Sequence, residues 1–352
     1  MTESSSSASS ASDERRILRR TVQLPAKAPP LADGRRSLRL CMLGCEDNPP
    51  YGPTEATGAL FLDLVTSAIH SAHPVAKAGS DAAEIAVDFD VFITIFRVQV
   101  MDYPAQWDEF DGILIPGSFS SAYETLPWIE RLKDVIQNEI YANKRKTLAV
   151  CFGHQLYAHS FNRHDGQVGL CQPCPHGHQA GRRLSSLTRE GSALLNQPTV
   201  ASLSTDALES KPNAETIQLM YTHGDHVASL PPCAVSLFGN DSVPIQAAAY
   251  FANNDEAAIF CESIGSNGQK GGENLPPLPK PHAITFQAHP EYSSQDGLTV
   301  TFTNILRALE EKRVLPQSDL AEAEADTTDK FPELQQESIR LFVTVCNILG
   351  WF

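Results

Sequence analysis

Residues 127–156 read PWIERLKDVIQNEIYANKRKTLAVCFGHQL, which is a helix, a short apolar strand and the start of another helix in one run. Trp128, Leu132, Val135, Ile136 and Ile140 recur at helical spacing and make one apolar stripe. Pro127 suits a first turn, and Lys144 and Arg145 lie near the end, where cations suit the helix dipole. TLAV (147–150) has the length and composition of a buried strand, and it stops at Cys151. The alternation continues upstream. LRLCMLGCE (38–46) reads as a strand, GALFLDLVTSAIHS (58–71) as a helix, VDFDVFITIF (87–96) as a strand, and DGILIPG (111–117) as a strand entering a turn. Strands alternating with helices imply parallel strands joined by right-handed crossovers, so the expected class is α/β in three layers.

Downstream the pattern is less regular. YTHGDHVASLPP (221–232), PIQAAAYF (244–251), EAAIFCE (256–262) and HAITFQAHPE (282–291) read as strands and loops of the same sheet or of a β-rich flank. LTVTFTNILRALEEK (298–312) reads as an amphipathic helix, and ESIRLFVTVCNILGWF (337–352) as an apolar helix that must dock to hide its face. The expected partition is a disordered tail over 1–36, one domain over 37–315, and an acidic linker with a terminal helix over 316–352. Within the domain, the Gly/Pro-rich stretch 264–281 is expected to be a flexible insertion.

Composition narrows the function. The chain has 352 residues and a formal net charge of −15, which opposes steering toward nucleic acid or anionic lipid and favours small-molecule substrates. No apolar stretch reaches the roughly 18 residues of a membrane span, and MTESSSSASS lacks the apolar core of a secretory signal. Eight scattered cysteines without such a signal point to free thiols in a reducing compartment, and the expected location is cytoplasmic.

The chemistry concentrates at Ala149-Val150-Cys151-Phe152-Gly153, where a strand ends and a helix begins, the geometry of a nucleophile elbow. Small residues on both sides suit a tight turn. A helix N-terminus lowers the thiol pKa and offers backbone N–H groups. Phe152 N–H, with Gly117 and Ser118 on the loop after 111–116, is the expected oxyanion hole. A thiol nucleophile needs a base. His154 and His159 lie on the elbow's own helix and read as structural, whereas His289 follows a strand and precedes Pro290 and Glu291, and Glu291 can fix its tautomer.

CFGHQL (151–156), AHPEY (288–292), THGDHV (222–227) and the Gly-Ser loop of PGSFSSAYETLPWIERL (116–132) together resemble class I, triad-type glutamine amidotransferases. The likeness covers roughly 38–315 and looks most like stand-alone members, including plant γ-glutamyl peptidases and proteins similar to the amidotransferase part of GMP synthase. It implies a Rossmann-like, flavodoxin-type fold with a mostly parallel central sheet, and hydrolysis of a γ-glutamyl amide through a Cys151, His289, Glu291 triad. It also implies that Gln155 helps to hold the glutamine side chain, and it calls for no cofactor. Ala149 and Ala288 stand where many members carry Gly and Phe.

The expected partners are glutamine or a γ-glutamyl small molecule. No Walker-type loop is present, so any ammonia-accepting synthase is a separate chain. A γ-glutamyl peptidase and a non-enzymatic scaffold of the same fold are the alternatives. His223 and Asp225 are read as shaping the loop beside the glutamine pocket, with direct substrate contact as the alternative. Cys171, Cys174, His176 and His178 are too compressed for an ordinary zinc site, and a plain loop is the preferred reading.

Overall fold

The computed structural model describes residues 16–25, 34–73, 86–162, 169–196, 215–266 and 277–352. The strands are β1 (Arg16–Pro25), β2 (Ser37–Gly44), β3 (Ala86–Arg97), β4 (Gly112–Ile115), β5 (Thr147–Val150), β6 (Leu170–Pro173), β7 (Gln179–Leu187), β8 (Thr216–His223), β9 (Asp225–Ser229), β10 (Ala234–Gly239), β11 (Ala247–Tyr250) and β12 (Ala283–Phe286). The helices are α1 (Thr54–Ala72), α2 (Pro127–Val135), α3 (Phe152–His159), α4 (Arg189–Leu195), α5 (Asn254–Ser266), α6 (Thr303–Glu311), α7 (Gln317–Asp329) and α8 (Phe331–Leu349).

Ten of the described strands form one sheet in the order β1-β3-β2-β4-β5-β12-β11-β10-β7-β8. Its centre, β3-β2-β4-β5-β12, is parallel, and the later strands extend it with antiparallel pairs. The strands read as continuous apolar runs because both faces are covered. Leu40, Met42, Leu114, Leu148 and Val150 pack under α1 and α8, while Cys41, Leu43, Ile113, Ile115 and Ala149 pack under α2 and α3. Three layers follow directly from that alternation.

Three expectations need correction. The tail over 1–36 holds a strand: β1 pairs antiparallel with β3 from Arg16↔Ile95 to Pro25↔Ala86. Val22 and Leu24 face the core, and Arg19 and Arg20 on the outer edge pair with Asp90 and Asp63. Charge that suggested disorder instead protects a sheet edge. EAAIFCE, expected among the strands and loops of the sheet or of a β-rich flank, lies in α5. Asn253 Oδ1 accepts the Glu256 N–H at 2.9 Å and Glu256 Oε2 accepts the Ala252 N–H at 3.4 Å, so a capping arrangement starts the helix. The acidic stretch after 316 is helix α7 rather than linker. Leu320 and Ala323 are buried, and Asp326 pairs with Arg182 Nε at 3.2 Å, docking the helix on β7.

The terminal helix does dock. α8 packs on α1, and Trp351 beyond it is buried so closely against Gly112 that a Cβ there would stand 2.4 Å from the indole Nε1. Most of the expected insertion, 267–276, lies outside the described residues, as do 1–15 and 26–33 of the expected tail.

Candidate active site

β5 lies between β4 and β12, and all three run parallel, so their C-terminal ends open at one edge of the sheet. At that edge Cys151 adopts φ +52° and ψ −111°, a conformation that costs a non-glycine residue about 1–3 kcal/mol. Its N–H donates to Phe286 O at 2.7 Å, which ties the strained residue to β12. α3 starts at the next residue. Gly153 is required there, because a Cβ would lie 2.2 Å from Ile115 O at the end of β4. Phe152 anchors the helix start by packing its ring 5.5 Å from that of Trp128.

His289 follows β12 and is fixed on several sides. Its N–H donates to Met220 O at 2.9 Å, its ring stacks on Tyr292 at 4.5 Å, and its Nδ1 lies 2.7 Å from Glu291 Oε1. Both side chains are buried, at 0% and 3% exposure. Nε2 has no hydrogen-bond partner among the described residues and remains the ring's only unused nitrogen. Burial alone would lower the imidazole pKa. The Glu291 carboxylate and the Cys151 sulfur outweigh it and raise it to about 10.

These groups meet at Gly117. A Cβ on Gly117 would stand 3.2 Å from His289 Cε1, 3.3 Å from the Tyr51 hydroxyl and 3.5 Å from Cys151 Cβ, so the loop after β4 runs directly beside the cysteine and histidine. A buried carboxylate holds that loop. Glu46, just beyond β2, accepts the Ser118 hydroxyl at 3.0 Å and the Phe119 N–H at 2.8 Å through one oxygen, Oε2. Sequence reasoning missed Glu46. The visible signal was a charged residue at the end of the apolar run LRLCMLGCE.

A cavity of about 240 Å³ opens over Cys151, with Tyr51, Ser118, Gln155, Asp225 and Lys312 in its wall. Gln155 is buried, and its amide nitrogen is engaged by Asp225 O at 2.9 Å and Gln287 Oε1 at 3.1 Å. His223 Nδ1 lies 2.9 Å from Asp225 O, and burial lowers its pKa to about 3. Asp225 accepts the Ser121 hydroxyl at 2.5 Å and the Tyr123 hydroxyl at 2.9 Å. It thereby ties β9 to the loop that starts at Gly117.

The other sequence-flagged residues are engaged by neighbours of their own, and of these His178 also lies in the cavity wall. His154 Nδ1 lies 2.7 Å from Thr285 Oγ1, and His159 Nδ1 accepts the Cys171 N–H at 3.3 Å. Cys174 Sγ lies 3.4 Å from His223 Nδ1, and His178 Nε2 lies 3.4 Å from Thr222 Oγ1. Among the described residues no group of three or more His, Cys, Asp or Glu side chains is placed to hold a metal ion. None of the described helices is long and apolar enough to cross a membrane.

The family model of class-I glutamine amidotransferases matches residues 82–308. The chain belongs to that family. Two solved amidotransferase structures share its fold: one from Thermotoga maritima, with a TM-score of 0.52 at 13% identity, covering 89% of this chain and 98% of that one; and one from Methylobacillus flagellatus, with a TM-score of 0.51 at 14% identity, covering 89% and 95%. Sequence similarity reaches two peptidases of Arabidopsis thaliana. Gamma-glutamyl peptidase 5 is 27% identical over 165 residues, 44% of this chain and 56% of that protein. Gamma-glutamyl peptidase 4 is 40% identical over 65 residues, 18% of this chain and 26% of that protein. The matches thus span about a quarter and about half of these curated relatives' lengths.

Proposed function

We propose that this amidotransferase-family chain is a cysteine hydrolase of γ-glutamyl amides, with Cys151 as nucleophile, His289 as the proton-transferring base and Glu291 as the residue that orients it. The observation that carries this reading is the buried 2.7 Å contact between His289 Nδ1 and Glu291 Oε1. It leaves Nε2 unpartnered beside a cysteine held at a strained strand-to-helix turn. A histidine fixed through one nitrogen and free at the other is the requirement for proton transfer.

The Cys151 thiol proton passes to His289 as the sulfur attacks the γ-carbonyl carbon, and the carbonyl oxygen takes the negative charge. The first N–H groups of a helix have no intrahelical partner, so Phe152 N–H, with backbone N–H groups at Gly117 and Ser118, receives the oxyanion. His289 gives its proton to the nitrogen as the C–N bond breaks, leaving a glutamyl thioester and a free amine. Water, deprotonated by His289, attacks the thioester, releases glutamate and restores the thiol. Gln155 has its amide nitrogen committed and presents its Oε1 to the substrate carboxamide.

Direct hydrolysis of γ-glutamyl peptides is the narrower form of this reading, and the similarity to gamma-glutamyl peptidases favours it over ammonia delivery to another chain. The test is release of glutamate by the purified protein from glutamine, glutathione and γ-glutamyl dipeptides, alone and with lysate. Faster release from the peptides supports the peptidase form. Activity that appears only with a second protein from the lysate would overturn it in favour of an amidotransferase subunit.

A further inference from the structure

The ten-stranded sheet ends at β1, which among the described residues pairs on one side only, with β3. An unpaired edge of this length, ten residues, is a template for another strand. Its arginines do not leave that edge charged. Arg16 pairs with Glu55, Arg19 with Asp90 and Arg20 with Asp63, while Gln23 bonds to Asp88.

A cavity of about 730 Å³ opens beside Thr21, Val22 and Gln23, between β1, α1 and α8. Its described lining, from Thr66 and His70 of α1 to Gln335 and Ile339 of α8, contains no Lys, Arg, Asp or Glu. In a chain of net charge −15 that neutrality disfavours a strongly basic or acidic partner. It suits a partner that presents the same surface, because two-fold association sets side chains near their own copies, where any charge would repel.

The sequence of β1 also restricts how two copies can pair. Joined edge to edge about a two-fold axis normal to the sheet, they set residues of the same face opposite one another, so the axis passes through one residue and fixes the register. An axis at Leu18 sets Arg16 opposite Arg20, and an axis at Arg19 or Arg20 sets that arginine opposite itself. An axis at Val22 leaves Ile17 and Leu18 beyond the end of the partner strand. The axis at Thr21 avoids these defects: it pairs Thr21 with Thr21, Arg20 with Val22, Arg19 with Gln23 and Leu18 with Leu24. The two Arg20 side chains are then diagonal neighbours, each neutralised by its own Asp63. The charge that guards this edge therefore blocks other registers and leaves one open.

We infer that β1 pairs with β1 of a second copy, antiparallel about Thr21, and joins two ten-stranded sheets across a two-fold axis. The uncharged cavity beside Thr21, Val22 and Gln23 lies at that axis and faces the same surface of the partner. Cys151 follows β5, with β3, β2 and β4 between it and this edge, so the inference is independent of the hydrolytic reading.

Sedimentation of the full chain over about a hundredfold range of concentration measures the association. A reversible monomer–dimer equilibrium is expected. Added salt should tighten it, because screening weakens the repulsion between two chains of charge −15 while the paired surface has no net charge to screen. Thr21→Arg sets two arginines opposite each other and should raise the dimer dissociation constant about tenfold or more. A dimer that salt dissociates, or a Thr21→Arg dimer as tight as the wild type, overturns the inference. So does a chain that stays monomeric throughout, which would leave the edge to a strand of another protein.

Cysteine crosslinking reads the register and does not depend on the folding of Thr21→Arg. Under diamide, which oxidises two thiols to a disulfide and is itself reduced to the hydrazine, Thr21→Cys should give a covalent dimer. Directly opposite Cβ atoms of an antiparallel pair stand about 4.5–5.5 Å apart. Gln23→Cys should not crosslink, since its two copies are offset by four residues, about 13 Å. The wild type, whose cysteines are buried or half-buried, sets the background. No Thr21→Cys dimer above that background, or a Gln23→Cys yield equal to it or higher, overturns the register and the inference with it.

Discussion

His289 Nδ1 lies 2.7 Å from Glu291 Oε1 with both side chains buried, while the other ring nitrogen of His289 is left without a partner. In the proposed mechanism the two residues have unequal roles, one transferring a proton and the other orienting the ring. Glu291→Gln should lower kcat by about 10²–10⁴-fold, and His289→Ala by more, toward about 10⁶-fold. Steady-state glutamate release measures both. A silent Glu291→Gln would mean that another acid orients His289.

Cys151 combines the thiol of the proposed nucleophile with a strained backbone, and two substitutions separate these properties. Cys151→Ala keeps the strain at φ +52°, whereas Cys151→Gly relieves it. Both should lose glutamate release and labelling by a glutamine-analogue electrophile. Cys151→Gly should nevertheless be the more stable of the two by about 1 kcal/mol, after glycine's unfolded-state entropy offsets part of the 1–3 kcal/mol of strain. Denaturant midpoints decide this, and persistent labelling of either variant would move the nucleophile to another cysteine.

The elbow also depends on the absence of a side chain at Gly153. Gly153→Ala drives a Cβ to 2.2 Å from Ile115 O, a backbone atom that cannot turn aside, so a loss of about 3 kcal/mol or more is expected. Gly177→Ala is the matched control. Gly177 has φ +78° and nothing within 4 Å of a new Cβ, so its cost should be limited to about 1–2 kcal/mol of backbone strain. Similar thermal midpoints for the two variants would contradict the packing argument.

Glu46 acts at one remove. Glu46→Ala frees Ser118 and Phe119, and the loop beside Cys151 loses its anchor. The expected result is a fall in kcat of about 10–100-fold with a smaller change in KM, because misplaced donors weaken transition-state binding more than substrate binding. Glu46→Gln keeps an acceptor and should recover most of the rate. If Glu46→Ala changes only the thermal midpoint, Glu46 is a structural carboxylate alone.

What was legible in the sequence was local. The run from Pro127 to Leu156 shows helix, strand, turn and helix through neighbouring residues, and the structure follows it closely. His289 and Glu291 are two positions apart, so their contact could be read from spacing. Distant pairings were not legible. β1 gains its role from a partner strand some 70 residues on, and a charged edge strand has the composition of a tail. α7 reads as linker until its few apolar residues find β7. Glu46 and Lys312 were hidden for the same reason: each faces the 118–119 loop from a distant part of the chain. α5 differs, because Asn253 and Glu256 carried a capping signal that the apolar run between strands obscured.

The charge on His289 gives the pH prediction. The folded protein raises its pKa from 6.5 to about 10, because the Glu291 carboxylate and the Cys151 sulfur overcome the burial that lowers it. A group whose pKa is higher folded than unfolded binds protons more tightly in the native state. Its stabilisation is therefore complete below about pH 6.5 and is lost as the pH rises toward about 10. Glu291→Gln removes the larger of the two raising influences, leaves burial in place, and should flatten that part of the profile. Urea midpoints for both proteins between pH 6 and about 10, with the imidazole followed by NMR, provide the measurement. The wild type should lose stability across the window faster than the variant. Parallel profiles would show that His289 does not hold its proton through Glu291, and the orienting role assigned to that carboxylate would fall with it.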